Sequence, residues 1–162
     1  MTQHLFFSLA IILFISNSNA QTNNLTPEQQ RLTFIVGSWT IDGSEKTYIE
    51  TCDWIQGNHL QCLSVDNENE KTRKSVSYFT YSPSEKIYIY YGLYSGGGSR
   101  TLRGSWIEDR FSFEGQQQTT DKLTRYRVTM KPNQGMIDFF EERSINNGEW
   151  KEIAKFQYKP AN

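Results

Sequence analysis

The chain has 162 residues, with 17 Lys and Arg against 18 Asp and Glu, and a formal net charge of -1. This near-neutral balance excludes the broad basic patch with which proteins usually bind nucleic acid, and no basic amphipathic helix predicts binding to a membrane surface. Aromatic residues make up 14% of the chain, which is a large apolar content for one small core. We therefore expect one domain and no nucleic-acid partner.

The N-terminal region contains an apolar run, LFFSLAIILFI, over residues 5–15. This run is too short for a membrane-spanning helix, which needs about 20 residues, but it has the length of a signal-peptide core. The small residues Ser18 to Ala20 follow it. We predict a signal peptide over residues 1–20, a secreted or periplasmic mature protein, and no membrane insertion after cleavage. Since no Lys or Arg precedes the run, a retained N-terminal anchor is the alternative.

The next residues predict a loose segment followed by one helix. Residues 21–25 are polar and are predicted to be disordered, and the domain is predicted to span residues 26–160. Thr26 can cap a helix, Pro27 suits the first helical position, and Glu28 lies in the first turn, where an acidic residue is favourable. These features predict a single short helix over residues 27–35.

The rest of the sequence alternates apolar and polar residues between turn signals, a pattern typical of strands. Examples of these turns are SPSEK, SGGGS, PNQG and SINNG. No helical pattern separates any two strands, so the crossover connections of a parallel sheet are excluded. The pattern predicts an all-β fold, a single antiparallel up-and-down β-barrel of about nine or ten strands with a short N-terminal helix. A barrel is preferred to a sandwich because closure removes the exposed strand edges.

Two cysteines, Cys52 and Cys62, flank a turn signal centred on Gly57 in TCDWIQGNHLQC. A hairpin around this glycine places the two cysteines opposite each other on adjacent strands, where a disulfide can close. We therefore predict a disulfide, and the alternative is a pair of buried thiols. A metal site is not predicted, because His59 is the one other soft ligand nearby.

The motif Gly37-Ser38-Trp39, placed directly after the predicted helix, resembles the entrance to calycin barrels, the lipocalins and their relatives. In that arrangement the glycine permits a sharp entry and the tryptophan fills the barrel base. The resemblance implies that a late arginine covers the tryptophan, and Arg143 is the candidate. Gly37, Trp39 and Arg143 are thus the predicted structural base of the barrel.

A closer resemblance, over about residues 32–158, is to the DUF1579 family of bacterial lipocalin-like proteins. It is carried by the segments GSWT, CDWIQGNHLQC, FTYSPSEKIYIYYGLYSGGG, LRGSW and NNGEWKEIAKFQY. It implies an exported or cytosolic barrel of no established activity. Nitrobindin-like barrels also open with Gly-x-Trp and bind haem through a late histidine, but the histidines here are His4 and His59. No cofactor is therefore predicted.

Two polar groups are candidates for acid-base catalysis. His59 and Asp53 lie near each other in the predicted hairpin and could form a catalytic dyad, although a histidine beside a turn is usually only solvated. Asp138, Glu141 and Glu142 could place a carboxylate inside the barrel, where desolvation would tune its acidity. The sequence assigns no catalytic residue, and enzymatic activity stays open, with a protein that is not an enzyme favoured.

Arg125 and Arg127 share one face of a strand and could clamp an anion if that face pointed inward, although the opposite, apolar face is the preferred interior. The glycine-rich stretch from Ser95 to Ser99 lacks the Lys-Ser/Thr sequence and helix of a phosphate loop, so it is predicted to be a flexible loop at the barrel mouth. The residues predicted to bind ligand are Trp54, Tyr78, Tyr91, Trp106, Arg125, Tyr126, Arg127 and Phe140.

Together these features predict a barrel that binds a small apolar or amphipathic molecule. Two alternatives remain. The first is an envelope interaction or structural module without a ligand, which would show a filled interior and an exposed apolar patch. The second is a hydrolase or isomerase that uses interior carboxylates or His59. The sequence gives no indication of oligomeric state.

Overall fold

The computed structural model describes residues 25–56, 58–68 and 71–161. The predicted signal peptide over residues 1–20 and most of the predicted disordered segment lie outside these residues. The described chain is all-β apart from two short helical turns at its N-terminus. Its strands are β1 Gly37–Ile41, β2 Tyr48–Ile55, β3 His59–Asp66, β4 Arg73–Ser82, β5 Ile87–Tyr94, β6 Ser99–Ile107, β7 Arg110–Gln118, β8 Leu123–Asn133, β9 Met136–Ile145 and β10 Lys151–Pro160.

The ten strands form a closed antiparallel barrel in which each strand pairs with its neighbour in sequence. Strand β1 closes the barrel by pairing with β10, with Trp39 opposite Pro160 and Ile41 opposite Tyr158. Closure leaves no strand edge unpaired, which is the physical advantage of a barrel over an open sheet. The predicted up-and-down barrel of nine or ten strands is confirmed.

The predicted short N-terminal helix is present over residues 27–35, and it consists of two parts. Helix α1 covers Pro27–Gln30, and a separate 3-10 helix covers Thr33–Ile35. The N–H of Arg31 is shared between the carbonyls of Pro27 and Glu28, at 3.3 and 3.2 Å. This sharing marks the change from i−4 to i−3 hydrogen bonding at which α geometry ends. Among the residues described, no helix is long and apolar enough to cross a membrane.

The start of α1 follows the predicted capping chemistry. The side chain of Thr26 accepts a hydrogen bond from the backbone N–H of Gln29, and the Gln29 side chain accepts one from the backbone N–H of Thr26. This reciprocal capping box satisfies two N–H groups that the helix leaves without partners. It also fixes the direction in which the chain enters the barrel.

The helical segment covers one end of the barrel through contacts with three strands or loops. The hydroxyl of Tyr88 donates to the carbonyl of Glu28 at 2.9 Å, and the Gln29 amide donates to the carbonyl of Asn58 at 3.3 Å. The guanidinium of Arg31 stacks over the Trp106 ring, 4.7 Å from its centroid. These contacts close the end at which β2, β4, β6 and β8 finish.

Trp39 anchors the 3-10 helix to the barrel. Its side chain is buried, and its indole N–H donates a 2.7 Å hydrogen bond to the carbonyl of Ile35. Gly37 has φ +137, a conformation that side-chain-bearing residues rarely adopt, and a Cβ there would lie 3.7 Å from the Trp39 ring. The sharp entry therefore depends on the glycine.

Arg143 does not cover Trp39, and this part of the predicted barrel base is corrected. Arg143 pairs with Lys151 at the start of β10, whereas Trp39 pairs with Pro160 at its end. The two side chains are therefore at opposite ends of the barrel, since β9 and β10 run along its full height. Arg143 is exposed near the hairpin that joins these two strands.

The hydrophobic core is concentrated beneath the helical segment. Phe111 lies at its centre, with ring centroids 4.3 Å from Phe113, 4.7 Å from Tyr88 and 5.5 Å from Trp106. The first two pairs are edge-to-face and the third is stacked. Aromatic pairs in these arrangements add about 0.5–1.5 kcal/mol beyond the area they bury. The core fills one half of the barrel, so any open space must lie in the other half.

Candidate functional site

The barrel encloses a cavity of about 620 Å³ on the side of the core away from α1. Its volume falls within the range of about 300–1,000 Å³ that is typical of sites for small molecules. The cavity extends from Ile35 in the 3-10 helix to the end of β3, the start of β4 and the loop that joins β5 to β6. Its walls include Trp39, Tyr48, Glu50, Cys52, Ser64, Asp66, Arg73, Lys74, Ser75, Ser77, Phe79, Tyr90, Tyr94, Ser95, Gly96, Arg100, Leu102, Phe113, Val128, Met130, Ile137, Phe139, Glu141 and Tyr158.

The inner end of the cavity is apolar, and its outer end is polar. Phe79, Phe113 and Met130 are each no more than 5% exposed and form part of the floor. Asp66 and Arg73 lie at the outer end and form a salt bridge of 2.7 Å. A site with this division suits an amphipathic molecule, because the tail loses contact with water while the head group keeps polar partners.

Glu50 on β2 lines the cavity together with the aromatic side chains of Trp39, Tyr48 and Tyr158. The hydroxyl of Tyr48 donates a 2.7 Å hydrogen bond to its Oε2. Burial raises the pKa of Glu50, and hydrogen bonds from Tyr48 and Tyr158 offset part of that increase by stabilising the carboxylate. The group thus lies inside the cavity with hydrogen-bond donors but in a poorly solvated place.

Arg100 and Glu141 form a second polar pair in the cavity wall. Their atoms Nη1 and Oε1 are 2.5 Å apart, and the side chains are 23% and 13% exposed. Burial disfavours the charged guanidinium, but the attraction of Glu141 outweighs it and raises the pKa of Arg100. The guanidinium also stacks on the ring of Tyr126, 3.9 Å from its centroid. Arg100 is therefore held in place from two sides.

Two tyrosines line the cavity beside this pair. The hydroxyls of Tyr90 and Tyr94 are 3.3 Å apart, and both fold over Gly92. A Cβ at Gly92 would lie 2.5 Å from the Tyr90 hydroxyl and 2.8 Å from that of Tyr94. The glycine therefore makes room for two phenols on the cavity wall. Burial raises the pKa of Tyr90 far above its ordinary value, so this phenol stays neutral.

The predicted disulfide is present and forms part of the wall. Cys52 and Cys62 are direct partners in the β2–β3 register and are joined, with their Cα atoms 4.0 Å apart. Glu50 lies close enough to both sulfurs that the three residues form a geometric cluster of possible metal ligands. Because both sulfurs are committed to the disulfide, this cluster offers no thiolate and is not a metal site.

The residues that line the cavity are different from the predicted ligand-binding set. Tyr78, Tyr91 and Phe140 lie on the outward faces of their strands, since their neighbours Ser77, Tyr90 and Phe139 line the cavity. Trp54 and Trp106 pack against the core at the helix end. Tyr126 is the member nearest to the cavity, through its contact with Arg100.

Arg125 and Arg127 also lie on the outward face of β8, because Val128 and Met130 line the cavity. Both guanidinium groups stack on the ring of Trp150, at 5.2 and 4.4 Å from its centroid. The preferred, apolar face is therefore the interior, and the proposed anion clamp faces outward.

The candidate catalytic groups do not converge. His59 is exposed, and its Nδ1 lies 3.1 Å from the hydroxyl of Thr80. Of the predicted acidic cluster, Glu141 faces the cavity, whereas Asp138 accepts hydrogen bonds from Asn133 and Gln157. Glu142 pairs with Arg127 on the outer surface at 3.4 Å.

Glu50 and Arg100 were missed by sequence reasoning. A usable signal existed for Glu50, because it lies two residues before Cys52 and so shares a strand face with a cysteine of the predicted disulfide. Arg100 directly follows the glycine-rich stretch from Ser95 to Ser99, and this position favours a prediction of loop structure for it. In the structure this residue is already in β6.

Comparison of the chain with models of known protein families found no match. A search of curated proteins found no similar sequence either.

Proposed function

We propose that this protein is an exported, lipocalin-like barrel that binds a small amphipathic molecule in its interior. The observation that carries the proposal is the cavity of about 620 Å³ with an apolar floor and a polar outer end. A barrel whose only role was structural would gain stability by filling this space, because each enclosed void forgoes packing energy. The open volume is therefore consistent with a role in binding.

The closed end of the barrel supports the same function. The helical segment is tied down by hydrogen bonds from Tyr88 and Gln29, and Ile35 forms part of the cavity floor. A ligand would therefore enter from the opposite end, between the salt-bridged pair Asp66 and Arg73 and the loop that joins β5 to β6. Ser95 and Gly96, from the predicted mouth loop, line the cavity there.

Export is supported by two independent features. The apolar run over residues 5–15 has the pattern of a signal peptide. The disulfide between Cys52 and Cys62 indicates an oxidising environment such as the periplasm or the extracellular space. We further propose membership of the DUF1579 family on the quoted segments, and a barrel that begins with Gly37 and Trp39 is compatible with that proposal.

A matched pair of variants on β8 tests ligand binding. Val128→Phe places a larger ring in the cavity, whereas Thr129→Phe changes the next residue, which faces outward. Isothermal titration calorimetry with 1-octanol is expected to show binding to the wild type and to Thr129→Phe. Val128→Phe is expected to weaken binding about tenfold or more, which corresponds to at least ~1.4 kcal/mol.

Native mass spectrometry of the protein from its own host provides the complementary measurement, because a retained small molecule would identify the natural ligand. Absence of 1-octanol binding together with a bare mass in repeated preparations would contradict the proposed function. Equal binding by Val128→Phe and Thr129→Phe would place the ligand outside the cavity.

A second candidate, an interaction module, is favoured by one observation on the outer wall. Leu63, Val76 and Leu93 are successive partners across β3, β4 and β5, and Leu63 and Leu93 are 49% and 52% exposed. Contiguous exposed apolar side chains often mark a contact surface. If this row mediates self-association, sedimentation velocity will show an oligomer that Leu63→Lys dissociates. A monomer at all protein concentrations would contradict self-association through this row.

A further inference from the structure

Most charged residues that line the cavity are paired. Among the described residues the exceptions are Lys74, which is exposed at the outer end, and Glu50, which lies further in. Asp66 pairs with Arg73 and Glu141 pairs with Arg100. Within residues 25–56, 58–68 and 71–161, no Lys or Arg forms a salt bridge with Glu50. Its partners are phenol hydroxyls, which stabilise a carboxylate but do not neutralise it. The cavity thus has one acidic group without a counter-ion.

Aromatic rings surround this carboxyl group. Trp39 is its direct neighbour across β1 and β2, and Tyr48 is two residues away on the same face. A hydrogen bond from Tyr158 lowers the pKa of Glu50, and the charge of Glu50 raises the pKa of Tyr90. Both tyrosines therefore lie close to this carboxyl group. A cation placed here would have a carboxylate for charge neutralisation, phenol oxygens as hydrogen-bond acceptors, and aromatic faces for cation–π attraction.

The same wall is unfavourable for an anionic head group. A ligand carboxylate close to Glu50 would meet a like charge in a poorly solvated place. Of the cations in the lining, Lys74 is exposed at the outer end, Arg73 is bonded to Asp66, and Arg100 is bonded to Glu141 and stacked on Tyr126. An anion bound to Arg100 would have to displace Glu141 and leave that carboxylate without its partner, at a substantial energetic cost.

We infer that the ligand is an amphipathic amine, whose ammonium group binds Glu50 among the tyrosines while its apolar tail lies on the floor formed by Phe79, Phe113 and Met130. This inference deepens the proposed ligand-binding function and rests on it. A primary alkylamine keeps its proton at neutral pH, since amines of this kind titrate near pH 10. Burial raises the pKa of Glu50, and a cation bound beside it would offset that effect by stabilising the carboxylate.

Three probes that share one tail test the head-group preference. Octylamine, octanoate and 1-octanol differ in charge but present the same apolar chain. Calorimetry at neutral pH is expected to rank octylamine first, about tenfold tighter than 1-octanol, and octanoate last. Glu50→Gln is expected to remove the preference for the amine, so that octylamine no longer binds more tightly than 1-octanol. Glu152→Gln, which removes the same charge from an exposed site on β10, is the matched control.

The pH profile of the wild type gives a readout that does not depend on any variant. Octylamine affinity is expected to fall as the pH drops and Glu50 takes up a proton, while 1-octanol affinity stays constant. Tighter binding of octanoate than of octylamine, or parallel pH profiles for the amine and the alcohol, would overturn the amine assignment and leave ligand binding intact. If none of the three probes binds, the proposed function itself fails.

Discussion

Tyr48 and Glu50 face the same cavity from one strand, and the phenol of Tyr48 donates a 2.7 Å hydrogen bond to the carboxyl group of Glu50. Alternation along β2 places them on the same wall, two residues apart. The desolvated surroundings raise the pKa of both groups. A phenol that stays neutral is a reliable hydrogen-bond donor, so this pair keeps Oε2 of Glu50 fixed.

The raised pKa of Glu50 predicts a specific dependence of stability on pH. Above the ordinary value of 4.5, the folded state retains the Glu50 proton more readily than the unfolded state does. The contribution of Glu50 to the free energy of unfolding is therefore fully present below that value and is lost as the pH rises through the folded-state pKa. Urea unfolding at a series of pH values should show wild type losing stability relative to Glu50→Gln as the pH rises.

The matched variant Glu152→Gln is expected to track the wild type across the same pH series, because Glu152 is exposed. A difference between wild type and Glu50→Gln that stays flat, or that grows in favour of the wild type with rising pH, would contradict the raised pKa.

The disulfide is expected to stabilise the β2–β3 hairpin and the cavity wall. It closes a short loop, since Cys52 and Cys62 are separated by 10 positions. Replacing both residues with alanine should lower the free energy of unfolding by about 2–4 kcal/mol. Reductant should destabilise the wild type by a similar amount and leave the double variant unchanged in urea titrations. No effect of reductant on the wild type would show that the bond is not formed in the purified protein.

The ion pair in the wall and an exposed pair on the same strand should respond differently to the same substitution. Arg100→Met leaves Glu141 enclosed without its partner, and we expect a loss of about 3–5 kcal/mol. Arg103→Met breaks the exposed bridge to Glu85, where the side chains are 51% and 47% exposed, and should cost less than about 1 kcal/mol. Combining Arg100→Met with Glu141→Leu should recover most of the loss. Equal losses for the two single variants would show that the Arg100 pair is effectively solvated.

Gly37→Ala is expected to destabilise the barrel by about 1–3 kcal/mol, the usual cost of forcing a side chain into a sparsely populated backbone region. Gly37 has φ +137 and lies against the Trp39 ring. Gly96→Ala is the control, because nothing lies within 4 Å of a Cβ at that position. Thermal or urea unfolding of both variants measures the difference. A neutral Gly37→Ala would mean that the entry into β1 can relax.

Arg125→Gln and Arg127→Gln are expected to leave 1-octanol affinity within about twofold of the wild type, a change of ~0.4 kcal/mol. Both residues stack on Trp150 on the outer surface and do not line the cavity. Calorimetry on the two variants measures this directly. A large loss of affinity in a variant that still folds would indicate that the ligand binds to the outer face of β8.

The features that the sequence by itself determined are those that depend on local patterns. Alternation between turn signals indicates strands wherever a backbone is half-buried, and it predicted the all-β barrel correctly. The pairing of Cys52 with Cys62 was predictable for the same reason, because a hairpin centred on Gly57 sets its own register. The capping chemistry of Thr26 likewise depends on residues within one helical turn.

The placement of the cavity was decided by the tertiary structure. Alternation groups residues by face, but it selects the inner face correctly only when that face is the more apolar one. On β4 the outward face carries Val76 and Tyr78, while the inward face carries Ser75 and Ser77, so the apolar pattern favours the wrong side. A cavity that keeps polar groups inside reverses this pattern at its own walls.

The polar constellation also depends on contacts between distant parts of the chain. Arg100 and Glu141 are 41 positions apart and meet across the barrel interior. Strand β1 pairs with β10 on one side and with β2 on the other, and this closure brings Tyr158 on β10 close to Glu50 on β2. Such neighbours are set by the number of strands and their stagger around the barrel, quantities that no local pattern in the sequence encodes.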